Sequence, residues 1–388
     1  MPKSNTRAAN GSGSITQLKN GRWRGKYQID NNIKYFRGRT KSEVRAKIQD
    51  YMVSVRLGEV STVKVKFEKF CEMWMTTVKR AQLKDSSYDR LDRTLRLYVI
   101  NEIGQEYVDV IRPQLLQALI NKYSEEYSFS TVKKVFEAIR ACLEYAVQME
   151  VIYKNPMNIV VMPRRENCAK GIKEVVVPTE AEMSKLLEEG AKKHNNGSFV
   201  YTQSYVDFYK FLASTGMRAG EGLALRNKNI DLVKGEIVVK ETVSEVTNRD
   251  GEGNKLKLIY TSPKTKRGNR IVYISDGTKE LISGIQERNK QNGFDSERLI
   301  CNNVGESPRI HDLERTLARM CENAGIRKFG LHALRHFFAS RFLEKGGDVV
   351  SLSKHLGHSN PAITLSIYVH QTEEQARRFK ESLNLLDL

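Results

Sequence analysis

The chain has 388 residues, 40% of them hydrophobic, which is enough for more than one core, and no apolar run approaches the roughly 20 residues that a membrane span requires. Its 64 Lys and Arg against 46 Asp and Glu give a formal charge of +18, which attracts polyanions and makes nucleic acid the first candidate partner. Five scattered cysteines (Cys71, Cys142, Cys168, Cys301, Cys321) lack CxxC spacing, so neither a disulfide framework nor a zinc ribbon is implied, and they read as small buried residues. The N-terminus carries charge without an apolar stretch behind it, unlike a secretion signal, so the expected compartment is the cytoplasm and no membrane partner is expected.

Behind a Gly/Ser-rich start, Ser14 to Leu18, Trp23 to Asp30 and Lys34 to Gly38 read as three short strands, with turns at Asn20-Gly21 and Asp30-Asn31-Asn32. Thr40 and Glu43 then form a capping-box pattern that opens a helix to about Leu57. Between Met1 and Gly58 there are 13 basic residues against three acids, so over half of the excess charge sits here. Arg22, Arg24, Lys26, Lys34, Arg37 and Arg39 interleave with Trp23, Tyr27, Tyr35 and Phe36. One sheet face would then pack on the helix while the other offers a basic platform to a DNA groove. The plainer alternative is a solvated basic face.

From about Thr62 to Met162 the periodicity turns helical, with Phe67, Phe70, Trp74 and Val78, and again Val132, Phe136, Ile139 and Leu143, at helical spacing. Four helices fit: Asp85-Ser86 starts the second, Pro113 suits the first turn of the third, and Asn155-Pro156 stops the fourth. Lys84, Arg90, Arg93, Arg96, Lys133, Lys134 and Arg140 would line a DNA-facing groove or simply solvate the helices. Residues 163–177 are basic and aperiodic, a linker. Beyond Pro178, Thr179 and Glu182 form a second capping box. A short strand group follows at about Gly235 to Val239, Leu256 to Thr261 and Arg270 to Ile274, and the end is mainly helical.

Five of seven histidines (His332, His336, His355, His358, His370) fall in one C-terminal window together with Arg335 and Tyr368. Leu331-His-Ala-Leu-Arg-His336 sets His332 and Arg335 three apart on one helix face, where both reach the same anion. Lys354-His-Leu-Gly-His358 supplies another donor after a helix ending at Gly357, and Tyr368 follows after Pro361. Upstream, Ser214-Thr-Gly-Met-Arg218-Ala-Gly-Glu221 places an arginine at a Gly-flanked helix break, with Glu221 one turn on to orient the guanidinium. Ser262-Pro-Lys264-Thr-Lys266-Arg-Gly-Asn-Arg270 lies between two strand patterns, either a lysine hairpin over a site or an ordinary basic turn.

Together, TGMRAGE, PKTKRGNR, HALRH and LGHSNPAITLSIYVH resemble, in order, the first-arginine box, lysine hairpin, His-x-x-Arg box and last-histidine-plus-nucleophile segment of the tyrosine recombinase (phage integrase) family. The three-part layout looks like that of integrases of conjugative transposons and temperate phages, and PKTK and YVH lean toward the transposon-like branch. The resemblance implies a multidomain fold. A mainly α catalytic domain with a small antiparallel β-sheet (178–388) follows a helical core-site DNA-binding domain (62–162) and a small α+β arm-site domain, a three-stranded sheet plus helix (1–58).

It also implies roles. Arg218 and Arg335 hold the non-bridging oxygens of the scissile phosphate, with Glu221 supporting Arg218. His332 and His358 donate further hydrogen bonds, His332 also standing near the Tyr368 hydroxyl for proton transfer. Lys264 protonates the leaving 5′ oxygen, with Lys266 and Arg267 near enough to exchange with it. Tyr368 attacks to give a 3′-phosphotyrosyl link that needs neither cofactor nor metal. His336 reads as a packed core residue, and His370 stands outside the site.

The implied partners are double-stranded DNA at core-type and arm-type sites and further copies of the chain, four protomers in all. The amphipathic 372–388 segment would dock on a neighbour. An excisionase and a host DNA-bending protein are candidate accessories. Two rivals are weighed against this. His332 and His336 at i, i+4 resemble an HExxH zinc helix, but Ala333 replaces its glutamate and Arg335 would set a positive charge against the metal. A non-catalytic DNA-binding regulator would explain the charge but not the full Arg, Lys, His, Arg, His, Tyr set.

Overall fold

A computed structural model describes residues 14–29, 32–56, 64–169, 176–250, 255–262, 269–294 and 297–357. They belong to two compact units, Met1–Lys173 and Glu174–Leu388.

The first unit opens with an antiparallel sheet of β1 (Ser14–Gln17), β2 (Trp23–Ile29) and β3 (Asn32–Gly38), followed by α1 (Lys41–Arg56). Strand alternation sends Tyr27 against Val44 and Ile48 of the helix, with Ile15, Trp23 and Phe36 packed around them. Gly25 makes the approach possible: a Cβ there would stand 2.6 Å from both Val44 and Ile48. Thr40 Oγ1 accepts from the Glu43 N–H, as the capping pattern predicts. The Glu43 carboxylate, however, accepts from the N–H of Arg39, one residue before the cap.

The second part of this unit contains four helices around their own core. In α2, Phe67–Trp74 continues through a π turn at Met75–Lys79 to Arg80–Gln82, and in α3, Asp85–Leu95 continues through a π turn at Arg96–Ile100 to Asn101–Ile103. Then come α4 (Pro113–Glu126), with Pro113 in its first turn as expected, and α5 (Phe129–Gln148). The fourth helix stops earlier than the Asn155-Pro156 signal suggests. It ends at Gln148, and Glu150 adopts φ +57. Asn155 instead caps a short 3-10 turn, its Oδ1 accepting from Met157 N–H. Cys71 and Cys142 meet in this core with their Sγ atoms 3.3 Å apart, and all five cysteines are buried and free. The start of the expected linker packs down as well, with Cys168 buried against the helical core and Ala169 N–H bonded to Ser124 O.

The second unit begins with α6 (Glu180–Gly190), whose capping box closes as the sequence predicts. Arg327 grips Glu182 through Nε and Nη2 at 2.8 and 2.7 Å. Around the largest core lie α7 (Gln203–Thr215), α8 (Ala219–Leu223), α9 (Asp276–Gln291), α10 (Ile310–Asn323), α11 (Leu331–Glu344) and α12 (Val349–Leu356). Beside them are two small antiparallel sheets. One orders β4 (Ile230–Asp231), β5 (Glu236–Val239) and β8 (Arg270–Tyr273), and the other pairs β6 (Thr242–Thr247) with β7 (Leu256–Thr261). Among the described residues β7 pairs with β6 and β8 with β5 rather than with each other, and residues 263–268 of the expected lysine hairpin lie outside the described residues. No helix among the described residues is long and apolar enough to cross a membrane.

Leu143 is fully buried in the helical core. Its replacement by Ala should cost about 2–5 kcal/mol of stability, read as an earlier urea transition by circular dichroism. A change under about 0.5 kcal/mol, the range of surface positions, would contradict this packing.

Candidate active site

The site is built where two helices end. Helix α7 stops at Thr215 because Gly216 takes φ +64, and α12 stops at Leu356 because Gly357 takes φ +70. A left-handed glycine ends a helix and turns the chain sharply. Each such turn leads directly into a candidate segment, Met217-Arg218 in one case and His358 in the other. The last carbonyls of both helices need donors, and the helix dipoles make these ends partially negative.

Side-chain donors meet that need. Arg335, only 2% exposed, gives Nη1–H to Gly216 O at 2.9 Å and Nη2–H to Leu356 O at 2.7 Å. His355 gives Nε2–H to Thr215 O at 2.9 Å, its ring stacked on Phe338. Arg270 on β8 gives Nε–H to His355 O at 2.6 Å. Its other nitrogens reach the Glu221 carboxylate at 3.2 and 2.8 Å. Glu221 completes the chain by accepting from Arg218 Nη1 at 2.8 Å and from the Arg218 backbone N–H at 3.1 Å. Arg218 itself remains 41% exposed.

The charges tune one another. Burial alone would raise the Glu221 carboxyl, but the Arg270 hydrogen bonds and charge, followed by Arg218, outweigh it and hold the group at about 2. His332 reaches solvent, yet partial burial and then the charges of Arg335 and Arg218 lower its basicity. His336 is buried, its ring edge-to-face with that of His332 at 4.7 Å. Burial, then His332 and Arg335, lowers it to about 4. Burial also lowers His355, against the opposing effect of its bond to Thr215. Arg218, Glu221, His332 and Arg335 are therefore gathered in one electrostatic neighbourhood. Lys264, Lys266, Arg267, His358, Tyr368 and His370 lie outside the described residues. Among the described residues no group of His, Cys, Asp or Glu is arranged to hold a metal ion.

Residues 179–375 match the family model described as the phage integrase family, and residues 67–161 match the phage integrase central domain. The chain belongs to the phage integrase family. A tyrosine recombinase XerC-like protein of Caldanaerobacter subterraneus subsp. tengcongensis is 28% identical to it, the match covering 90% of this chain and 91% of that protein. The integrase of a Staphylococcus phage is 23% identical, with 88% and 98% covered. In fold the chain is similar to the Tn1549 transposon integrase solved with transposon right end DNA, at TM-score 0.64 and 21% identity over 82% of this chain and all of that one. It is also similar to lambda integrase solved as a dimer on a core site, at TM-score 0.59 and 13% identity over 94% of this chain and 96% of that one. As an integrase of this family the chain is a site-specific recombinase that cleaves and rejoins DNA.

Elsewhere in the integrase, register sorts the basic residues expected to meet DNA. Arg24 pairs across from Arg37 and Lys26 from Tyr35, so these share the sheet face away from α1, where Arg24 also lies over the Tyr35 ring. Lys34 pairs with the inward Tyr27 and lies over Tyr51 of α1, so it belongs to the helix face and not to the basic platform. Arg22 is exposed just before β2. Lys133 and Lys134 are exposed on α5, Lys133 within 3.7 Å of Glu137. Sequence reasoning overlooked Arg270 and left His355 uncertain. Arg270 carried a signal: it shares the inward phase of its strand with Val272 and Ile274, an arginine where an apolar residue is expected.

Two outcomes follow from this geometry. A Cβ at Gly216 would meet Phe338 at 2.4 Å, whereas one at Gly197 (φ +82) meets nothing within 4 Å. Gly216→Ala should therefore destabilise beyond Gly197→Ala by about 1–3 kcal/mol of overpacking in chemical denaturation; equal losses would refute the close approach. Because the folded Glu221 pKa lies below its ordinary 4.5, its stabilisation is complete above about pH 4.5 and lost as pH falls toward 2. Glu221→Gln should flatten stability against pH in that window, and an unchanged slope would contradict the shared carboxylate.

Proposed function

We propose that this integrase uses Tyr368 to attack a DNA phosphate, with Arg218 and Arg335 binding the two non-bridging oxygens. The observation that supports this reading best is that Arg335 donates to Gly216 O, two residues before Arg218, whose guanidinium rests on Glu221 and stays 41% exposed. Two guanidinium forks neutralise the charge that builds on phosphorus in the transition state and make charge-assisted bonds that strengthen as it builds. Burial and the neighbouring guanidinia lower the basicity of His332, favouring the neutral imidazole, the form able to accept the Tyr368 proton.

The step balances. The bond from tyrosine oxygen to phosphorus forms as the phosphorus–O5′ bond breaks. The tyrosine proton passes to His332, Lys264 protonates O5′, and His358 donates to a phosphate oxygen. Attack of a second 5′ hydroxyl on the 3′-phosphotyrosine reverses the sequence and seals a new junction through a Holliday intermediate. The phosphotyrosyl link keeps the phosphodiester energy, so rejoining needs no ATP.

The partners follow from the architecture. Core-type DNA would lie against Lys133 and Lys134 of the helical part, and arm-type DNA against Arg22, Arg24, Lys26 and Arg37 of the N-terminal sheet. Strand exchange between two duplexes calls for four protomers. A lambda integrase tetramer has been solved on a Holliday junction, and this chain is similar to it in fold at TM-score 0.56 and 15% identity. An excisionase and a host DNA-bending protein would bias direction. The element served is a mobile one, a prophage or an integrative conjugative element, and the integrase acts in the bacterial cytoplasm on nucleoid DNA.

The test incubates full-length protein, in EDTA, with a nicked suicide duplex carrying the end of its own element. Wild type should give a denaturation-resistant protein–DNA adduct, and Tyr368→Phe should bind the duplex without forming one. Binding by wild type without any adduct would turn the reading into a non-catalytic DNA-binding protein.

A further inference from the structure

Glu221 is shared. Its carboxylate is 4% exposed and accepts from Arg218 on one side and from both terminal nitrogens of Arg270 on the other. Arg270 is 6% exposed and spends its remaining nitrogen on His355 O, in the last turn of α12 two residues before Gly357. One guanidinium thus ties together three segments distant in sequence: the Arg218 turn, strand β8 and the helix end that precedes His358. Of the other elements against α8, α7 brings Phe208 to Gly222 and β6 brings Thr242 and Val243 to Gly220. Among the described residues, the charged side chains that bond to Glu221 are Arg218 at its own helix start and Arg270 from β8.

We propose that Arg270 is a positioning residue for DNA cleavage, which keeps Glu221 ionised and divides its charge so that Arg218 stays oriented and available to the scissile phosphate. This rests on the reading of Arg218 as a phosphate-binding group. A buried carboxylate facing one arginine would be drawn wholly onto it, and its burial would favour protonation. With two arginines it stays ionised and belongs fully to neither. A planar fork is needed to hold both carboxylate oxygens and the His355 carbonyl together, which an ammonium cannot do.

The same suicide duplex, with full-length protein and adduct formation followed over pH, distinguishes positioning from simple bracing. Arg270→Gln should bind the duplex as wild type does but form adduct about 10- to 100-fold more slowly, the range typical when a group that orients a ligating residue is lost. The deficit should widen as pH falls from about 8 to about 5.5, because Glu221, deprived of its main counter-charge, takes up a proton. Adding Glu221→Gln to Arg270→Gln should remove that widening. Arg270→Lys should keep the deficit flat with pH, since it retains the charge, while remaining slower than wild type. A pH-independent deficit in Arg270→Gln, or wild-type rates, would overturn the proposal, since a merely structural brace predicts the first and irrelevance the second. Should Arg270→Gln fail to melt cooperatively, Arg270→Lys decides: wild-type rates overturn the proposal, and slower cleavage with unchanged binding supports it. Absence of adduct from wild type itself, or adduct from Tyr368→Phe, would instead sink the underlying reading of the site.

Discussion

Two helix C-termini pointed at one spot create a demand that organises the catalytic unit. The final carbonyls of α7 and α12 carry the negative ends of their dipoles and have no intrahelical partners. Left buried without donors they would destabilise the fold. Arg335 lies between the two ends and donates to both. A buried guanidinium is itself costly without acceptors, so each feature makes the other tolerable. His355 and Arg270 add the same chemistry at the neighbouring carbonyls Thr215 O and His355 O.

That solution fixes function as well as stability. The glycine that ends α7 turns the chain so that Arg218 follows at once. The guanidinia that satisfy the carbonyls also concentrate positive potential at this point. A single carboxylate, Glu221, is retained inside this cluster, held at about 2 so that it stays ionised across the working pH range. The imidazoles respond in the opposite sense, their basicity lowered by burial and by the same guanidinia. Under the proposed mechanism, that pairing of positive charge with imidazoles of lowered basicity would serve attack by a hydroxyl of high pKa on a phosphodiester.

Most of the architecture could be read locally, and the departures share one cause. The three N-terminal strands, the helix behind Thr40, and the Thr179 capping box rest on signals within a few residues and appear where expected. Strand β6 was missed because Thr242–Thr247 alternates Thr, Ser and Glu with only two valines, too polar to stand out until β7 pairs with it. The supposed β7–β8 hairpin failed because short strands do not announce their partners. Lys34 looked like part of the basic platform, yet its pairing with Tyr27 sends it to the helix side, a difference of one residue in phase.

The sequence by itself determined that the chain is basic, helical in its middle and at its end, and furnished with an ordered set of arginine, lysine, histidine and tyrosine motifs; these depend on residue type and short spacing. Only the tertiary structure decided which guanidinia are stapled to backbone carbonyls, that Glu221 serves two arginines, and that Arg270 belongs with the site. Apart from the Arg218–Glu221 pair, those are contacts among residues 21 to 140 positions apart, and hydrogen-bond partners at such separations are chosen by how helices pack and which carbonyls their ends leave unsatisfied, information that no local pattern carries.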